Sequence, residues 1–158
     1  MDWDWLGTGV YFWVENYRMA ELWGKKIERE NVKNEKSMIL KCQIGLGECL
    51  NLADRGNVWP FSKFCKQLSE IDEFANFKKN MPGGTGHPLE GESVYRHFDH
   101  RLIDEYDSAL GVHFDTILGV FENGKPIVDG SDIYRYNSVQ LAVRKKALDN
   151  IKILGTGR

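Results

Sequence analysis

The chain has few cysteines, no long apolar run and almost no net charge. Its three cysteines, Cys42, Cys49 and Cys65, are an odd set without paired metal-ligand spacing. That argues against a disulfide framework, and free thiols in a reducing compartment are the simplest account. Cys42 and Cys49 fall in apolar, strand-like stretches, where packing is expected of them rather than reactivity. No apolar run approaches the ~18–20 residues that span a bilayer. The first residues are acidic and aromatic rather than basic then apolar, so no secretory leader is expected, and a cytoplasmic location follows. A net charge of −2 supplies no strong field toward nucleic acid or an anionic membrane. The run Arg144-Lys145-Lys146 is a local exception, and a solvated strand end or turn is its ordinary account.

What is present suits one globular unit. The 158 residues are 42% hydrophobic and 28% charged, which excludes wholesale disorder. A single domain over residues 1–158 is expected, large enough to bury about 70% of its unfolded surface. Val10–Trp13 reads as a short buried strand entered through a Gly-x-Gly turn. Asn16 is a candidate N-cap for a helix over Asn16–Lys26, with Tyr17, Ala20, Trp23 and Ile27 on its apolar stripe and Glu21–Lys25 as an i,i+4 pair. Polar residues from Glu28 to Lys36 end it. Met38–Ile44 and Glu48–Leu52 read as strands around a Gly45-Leu46-Gly47 turn.

Trp59–Phe77 has helical spacing. Asn80–Glu92, rich in glycine and proline, is the clearest loop. A helix over Val94–Tyr106 turns Phe98, Leu102, Ile103 and Tyr106 inward. Strands follow at Phe114–Phe121, Pro126–Val128, Ser138–Val143 and Ile151–Leu154, with a hairpin signal at Asn123-Gly124. Helices and strands are segregated, so the class is α+β.

Classical chemistry-bearing motifs are missing. No P-loop, nucleophile elbow or Cys–His arrangement is found. His97 and His100 stand i,i+3 near Asp99 and Asp104, but exposed helix residues account for them better than a metal site. His87 and His113 have no partner pattern.

Two segments at opposite ends carry more. The first is Trp5-Leu6-Gly7-Thr8-Gly9-Val10-Tyr11-Phe12-Trp13, running into the helix with Trp23. The second is Phe121–Ser131 followed by Tyr136-Asn137-Ser138-Val139-Gln140-Leu141-Ala142-Val143-Arg144. Taken alone, each has a plain reading. The first is a glycine-rich turn feeding a core strand. In the second, Gln140 is a polar residue on the outer face of a half-buried strand.

Together they resemble the poly(ADP-ribose)-polymerase-like branch of the ADP-ribosyltransferase superfamily. The resemblance implies a mostly antiparallel, split β-sheet with flanking helices. NAD would be the substrate, with no metal. Gly9, Tyr11, Phe12 and Trp23 would bind it, with the Tyr11 and Trp23 rings on either side of the nicotinamide. Gln140 would occupy the catalytic-glutamate position, where it can orient the ribose but not act as a base. Glu15 and Glu48 are unplaced carboxylates.

The family's upstream His-Gly strand has no counterpart here, so the domain is expected to be N-terminally incomplete, with an open sheet edge. The activity implied is mono-ADP-ribosyl transfer to a protein, RNA or DNA, as in bacterial toxins and anti-phage effectors. An inactive relative that only binds is the alternative. Other partners would be an antitoxin, or a second copy through the open edge; a membrane is not among them.

Overall fold

The computed structural model describes residues 4–30, 36–71, 74, 81–82, 94–95, 97–122 and 125–157. The class is α+β. In chain order the elements are β1 (Val10–Trp13), α1 (Tyr17–Glu30), β2 (Ile39–Ile44), β3 (Cys49–Asn51) and α2 (Arg55–Ser69). Then come β4 (Met81–Pro82), β5 (Val94–Tyr95), α3 (His97–Leu110), β6 (Thr116–Phe121), β7 (Ser138–Val143), a 3-10 turn (Lys145–Asn150) and β8 (Ile151–Gly157).

Four strands form one sheet in the order β1-β7-β6-β3. All its pairings are antiparallel except β3 with β6. β2 and β8 make a separate antiparallel ribbon with a register shift between Lys41 and Cys42. β4 and β5 form a two-residue pair; β4 is the described part of the expected Asn80–Glu92 loop, and the rest of that loop, like Asn123-Gly124, lies outside the described residues.

The sheet is covered on both faces. On one, Leu6, Leu50, Ile117 and Ala142 pack with Ile103 and Tyr106 of α3 and Phe114, joined by Phe61 and Phe64 of α2. On the other, Leu141, Val143 and Ala147 pack with Phe12, Val14, Leu118 and, from the ribbon, Ile44 and Ile151. β7 is an interior strand, and Leu141, Ala142 and Val143 are all buried. The plain reading, in which its polar face is turned to solvent, therefore fails.

Several expectations need correction. Val10 is 47% exposed, because β1 is paired on one side only among the described strands. In α1 the Asn16 cap forms, its Oδ1 accepting from the Met19 N–H at 3.1 Å. The Glu21–Lys25 pair forms too. The helix nevertheless continues to Glu30, and it buries Met19 and Gly24 rather than the Tyr17, Trp23 and Ile27 stripe. Tyr17 lies beside Gly157 at the end of β8 and remains 53% exposed.

α2 starts at Arg55, several residues ahead of the expected Trp59, with Pro60 inside it. Val94 and Tyr95 are strand, so α3 starts at His97. Pro126–Val128 is not a sheet strand. Residues 125–135 fold on themselves, with the Ile127 N–H donating to Ile133 O and the Arg135 N–H to Lys125 O. A left-handed Gly130 permits that turn.

Gly119 shows how tightly the first face is packed. A Cβ there would stand 2.7 Å from Leu6 Cδ2 and 3.1 Å from the Phe121 ring. Leu6 is 1% exposed, so a shift of its side chain would press on its buried neighbours. Gly119→Ala should therefore destabilise the protein by about 1–3 kcal/mol through overpacking. Urea unfolding measures this, and an unchanged midpoint would show that Leu6 is not held where it lies.

Candidate functional site

The turn before β1 is held from within and from below. The Tyr11 hydroxyl accepts from the Leu6 N–H at 2.7 Å and donates to Gly7 O at 2.7 Å. Burial pushes its phenol above the ordinary tyrosine range, with the hydrogen bond from the Leu6 N–H opposing. Arg144, at the end of β7, donates from Nη1 to Thr8 O at 2.6 Å and from Nη2 to Asp104 Oδ1 at 3.0 Å. His100 Nε2 lies 3.1 Å from the other Asp104 oxygen, and its Nδ1 is 3.3 Å from Asp4 O.

Gly7 is required here, since its φ is +74° and a Cβ would meet Arg144 Nη2 at 2.8 Å. At Gly9 a Cβ would lie 2.9 Å from Val143 O, so its smallness lets the turn close on β7.

The register of β1 on β7 decides which side chains meet. Tyr11 stands opposite Ala142, and Trp13 opposite Gln140. Opposed residues share a face, and alternate residues share it too, so Tyr11, Trp13, Gln140 and Ala142 point the same way. On β6, Gly119 faces the other side of Gln140. Trp23 of α1 meets the Trp13 ring edge-on, centroids 6.1 Å apart at 63°. Lys26 Nζ lies 4.9 Å from the Trp23 ring centre. On the other side Trp5 and Phe121 meet at 4.1 Å. Gln140 is half-buried within this aromatic frame.

Of the residues singled out in the sequence, Tyr11, Gln140 and, through Trp13, Trp23 are thus brought to one region. Phe12 is not: it turns to the opposite face and packs with Leu141 and Val143. Glu15, with φ +49°, follows β1 closely at the Gln140 end. Glu48 is elsewhere, next to Cys49, which lies beside Thr116 at the far end of β6. A surface depression on α1 is lined by Leu22, Lys25, Glu28 and Arg29, and none of the site residues borders it.

His100 was expected to be exposed but is 8% exposed, because Asp4 and Asp104 enclose it. Among the described residues no group of three or more His, Cys, Asp or Glu side chains could hold a metal ion. No helix among them is long and apolar enough to cross a membrane.

Trp13 and Arg144 were not singled out as site residues by sequence reasoning. For Trp13 the signal was available: a residue two beyond Tyr11 on a strand shares its face. For Arg144 no local signal exists, since Thr8 lies 136 residues away.

Two outcomes are expected. Arg144→Met keeps the apolar stem but takes the arginine donors from Thr8 O and Asp104 Oδ1, leaving only His100 beside the carboxylate, which should cost about 1–3 kcal/mol in urea unfolding. No change would mean that the Tyr11 hydroxyl holds the turn alone. Tyr11 binds its proton more tightly folded than unfolded, so its contribution is complete below about pH 10 and fades as pH rises beyond. Phenolate absorbance should show one more tyrosine resisting ionisation until alkaline unfolding in the wild type than in Tyr11→Phe.

No protein-family model, curated protein or solved structure matches this chain.

Proposed function

We propose that this chain is a mono-ADP-ribosyltransferase of the poly(ADP-ribose)-polymerase-like kind, which binds NAD, releases nicotinamide and passes one ADP-ribose to a macromolecule. One observation carries the reading. The two motifs that resemble the family separately, around Tyr11 and around Gln140, are neighbouring strands in register. A ligand of this kind would touch a ring and an amide at once, and the reading is supported by Tyr11 and Gln140 sharing one face of the sheet. The division of strands into a sheet and a separate β2–β8 ribbon also suits the split sheet that the resemblance implies.

The chemistry follows from the side chains. Breaking the nicotinamide–ribose bond leaves an oxocarbenium-like sugar. Gln140 offers two N–H donors and a carbonyl to the ribose hydroxyls, orienting the sugar as the bond breaks. It cannot take a proton from an acceptor, so chain elongation is not expected. Glu15 is the better placed of the two spare carboxylates for that task, on position along β1. Protein, RNA and DNA all remain acceptors of this class, and a toxin role with an antitoxin partner in the cytoplasm would fit it.

A second reading is an ADP-ribosyltransferase-like domain that binds without turnover. It is favoured by the internal use of Gly7, Gly9 and the Tyr11 hydroxyl, all accounted for by the protein's own packing.

Nicotinamide release on incubation with NAD separates the two. Gln140→Ala should reduce release roughly a hundredfold, in the range for losing a transition-state hydrogen-bond donor, with little change in unfolding midpoint. NAD binding without release from the wild-type protein would support the second reading. No NAD binding would sink both.

A further inference from the structure

We propose that the outer face of α2 binds a single strand of nucleic acid, with Trp59 stacking on a base and Arg55, Lys63 and Lys66 meeting the phosphates. The surface involves no residue of β1 or β7, and its binding needs no NAD. Between Arg55 and Ser69, α2 holds three cations and no carboxylate. That places +3 on one helix of a chain whose net charge is −2. Packing decides where the cations point. Phe61 and Phe64 each lie 5.1 Å from the Tyr106 ring, centre to centre, and join the core. At about 100° per residue, Arg55, Trp59, Lys63 and Lys66 then fall within about 80° on the opposite side. All four are exposed.

Folding does not account for this stripe. On α1, Arg18 and Lys25 pair with Glu21, and Lys26 with Glu30. On α3, Arg101 pairs with Glu105. α2 has no carboxylate with which to do the same. Of the two acids at its ends, Asp54 accepts from the Asn57 side chain at 3.1 Å, and Glu70 lies at the C-cap. Arg55 stands in the first turn, where the helix dipole disfavours a cation.

The indole selects the partner. Trp59 is 59% exposed, with Lys63 Nζ 5.3 Å from its ring centre. A nucleic-acid strand answers both features, since its phosphates neutralise the cations and its bases cover the ring. A duplex keeps its base faces stacked inside, so the strand is single. An acidic peptide would meet the cations but brings no regular series of flat rings. Arg55 to Lys66 spans about 16 Å along the helix axis, room for a short run of nucleotides.

Fluorescence anisotropy with labelled oligo(U) RNA, oligo(dT) DNA and a DNA duplex, without NAD, tests this. Both single strands should bind within a few-fold of each other, because phosphates and base faces are common to them. The duplex should bind at least tenfold more weakly. Trp59→Ala should weaken the single strands roughly tenfold, the scale of losing one stacked base, and Trp59→Phe should recover part of that. Replacing Arg55, Lys63 and Lys66 together by alanine should flatten the slope of log affinity against log salt by about 2. Lys25→Ala on α1 should change neither affinity nor slope. Unfolding midpoints near that of the wild type would show that these exposed positions carry no fold. No binding of either single strand by the wild type would overturn the proposal. Equal affinity for the duplex, unchanged binding in Trp59→Ala, or tighter binding of poly-glutamate would overturn it as well.

Discussion

Four residues near the start of the chain, Val10 to Trp13, lie register-matched against Gln140 to Val143 near its end. That antiparallel pairing sets the core and the candidate site together. A loop of this length is costly to close, although the cost grows only slowly with length. It is offset by β7 itself, which buries Leu141 and Val143 on one face and Ala142 on the other. Non-local pairings of this kind form slowly, because the loop must close before the contacts reward it. The site consequently has no existence in a fragment that lacks either end.

The same strand does two jobs along one edge. Gln140, Ala142 and Arg144 alternate on the face that meets β1 and its entry turn. Gln140 stands across from Trp13 and Ala142 lies under Tyr11, while Arg144 reaches Thr8 O beside the Gly-x-Gly turn. A polar–small–polar alternation ordinarily marks a solvated face. Here the polar members face protein, and the small one makes room for a ring. Arg144 reaches Asp104 and through it His100, so α3 is tied to the same turn. A buried arginine stabilises only with its partners in place, which makes the geometry of the turn, more than its free energy, what the network determines.

How much of this was legible depended on range. β7 was readable to the residue, because period-two alternation between turn signals is a local property. β2, β3 and β6 were readable to within a few residues for the same reason. The face of α1 was not. Its apolar stripe counts residues that could be buried, but Tyr17 stays 53% exposed, and burial falls to Met19 and Gly24. Pro126–Val128 has strand composition, yet its hydrogen bonds go to residues just beyond it rather than to the sheet.

His100 became a buried residue through Asp4, 96 positions away, which no window could reveal. Periodicity marked no site; the long-range pairing of β1 with β7 is what brings the two candidate residues together. Tyr11 and Gln140 have nothing in common as local patterns until the β1–β7 register places them on one face.

That register also gives a reason for the amide at position 140. Its neighbours on this face are Trp13, Gly119 under Leu6 and Phe121, and the Tyr11 ring behind. A carboxylate set there would lose hydration to aromatic and aliphatic surface, with Arg144 already engaged by Asp104 and Thr8. Its charge would be costly in such surroundings. A neutral amide avoids that cost and still offers donors and an acceptor to sugar hydroxyls. Under the transferase reading proposed above, the loss is of base strength, and an acceptor would bring a nucleophile that attacks without help from this residue or find its proton acceptor at the end of β1, where Glu15 stands.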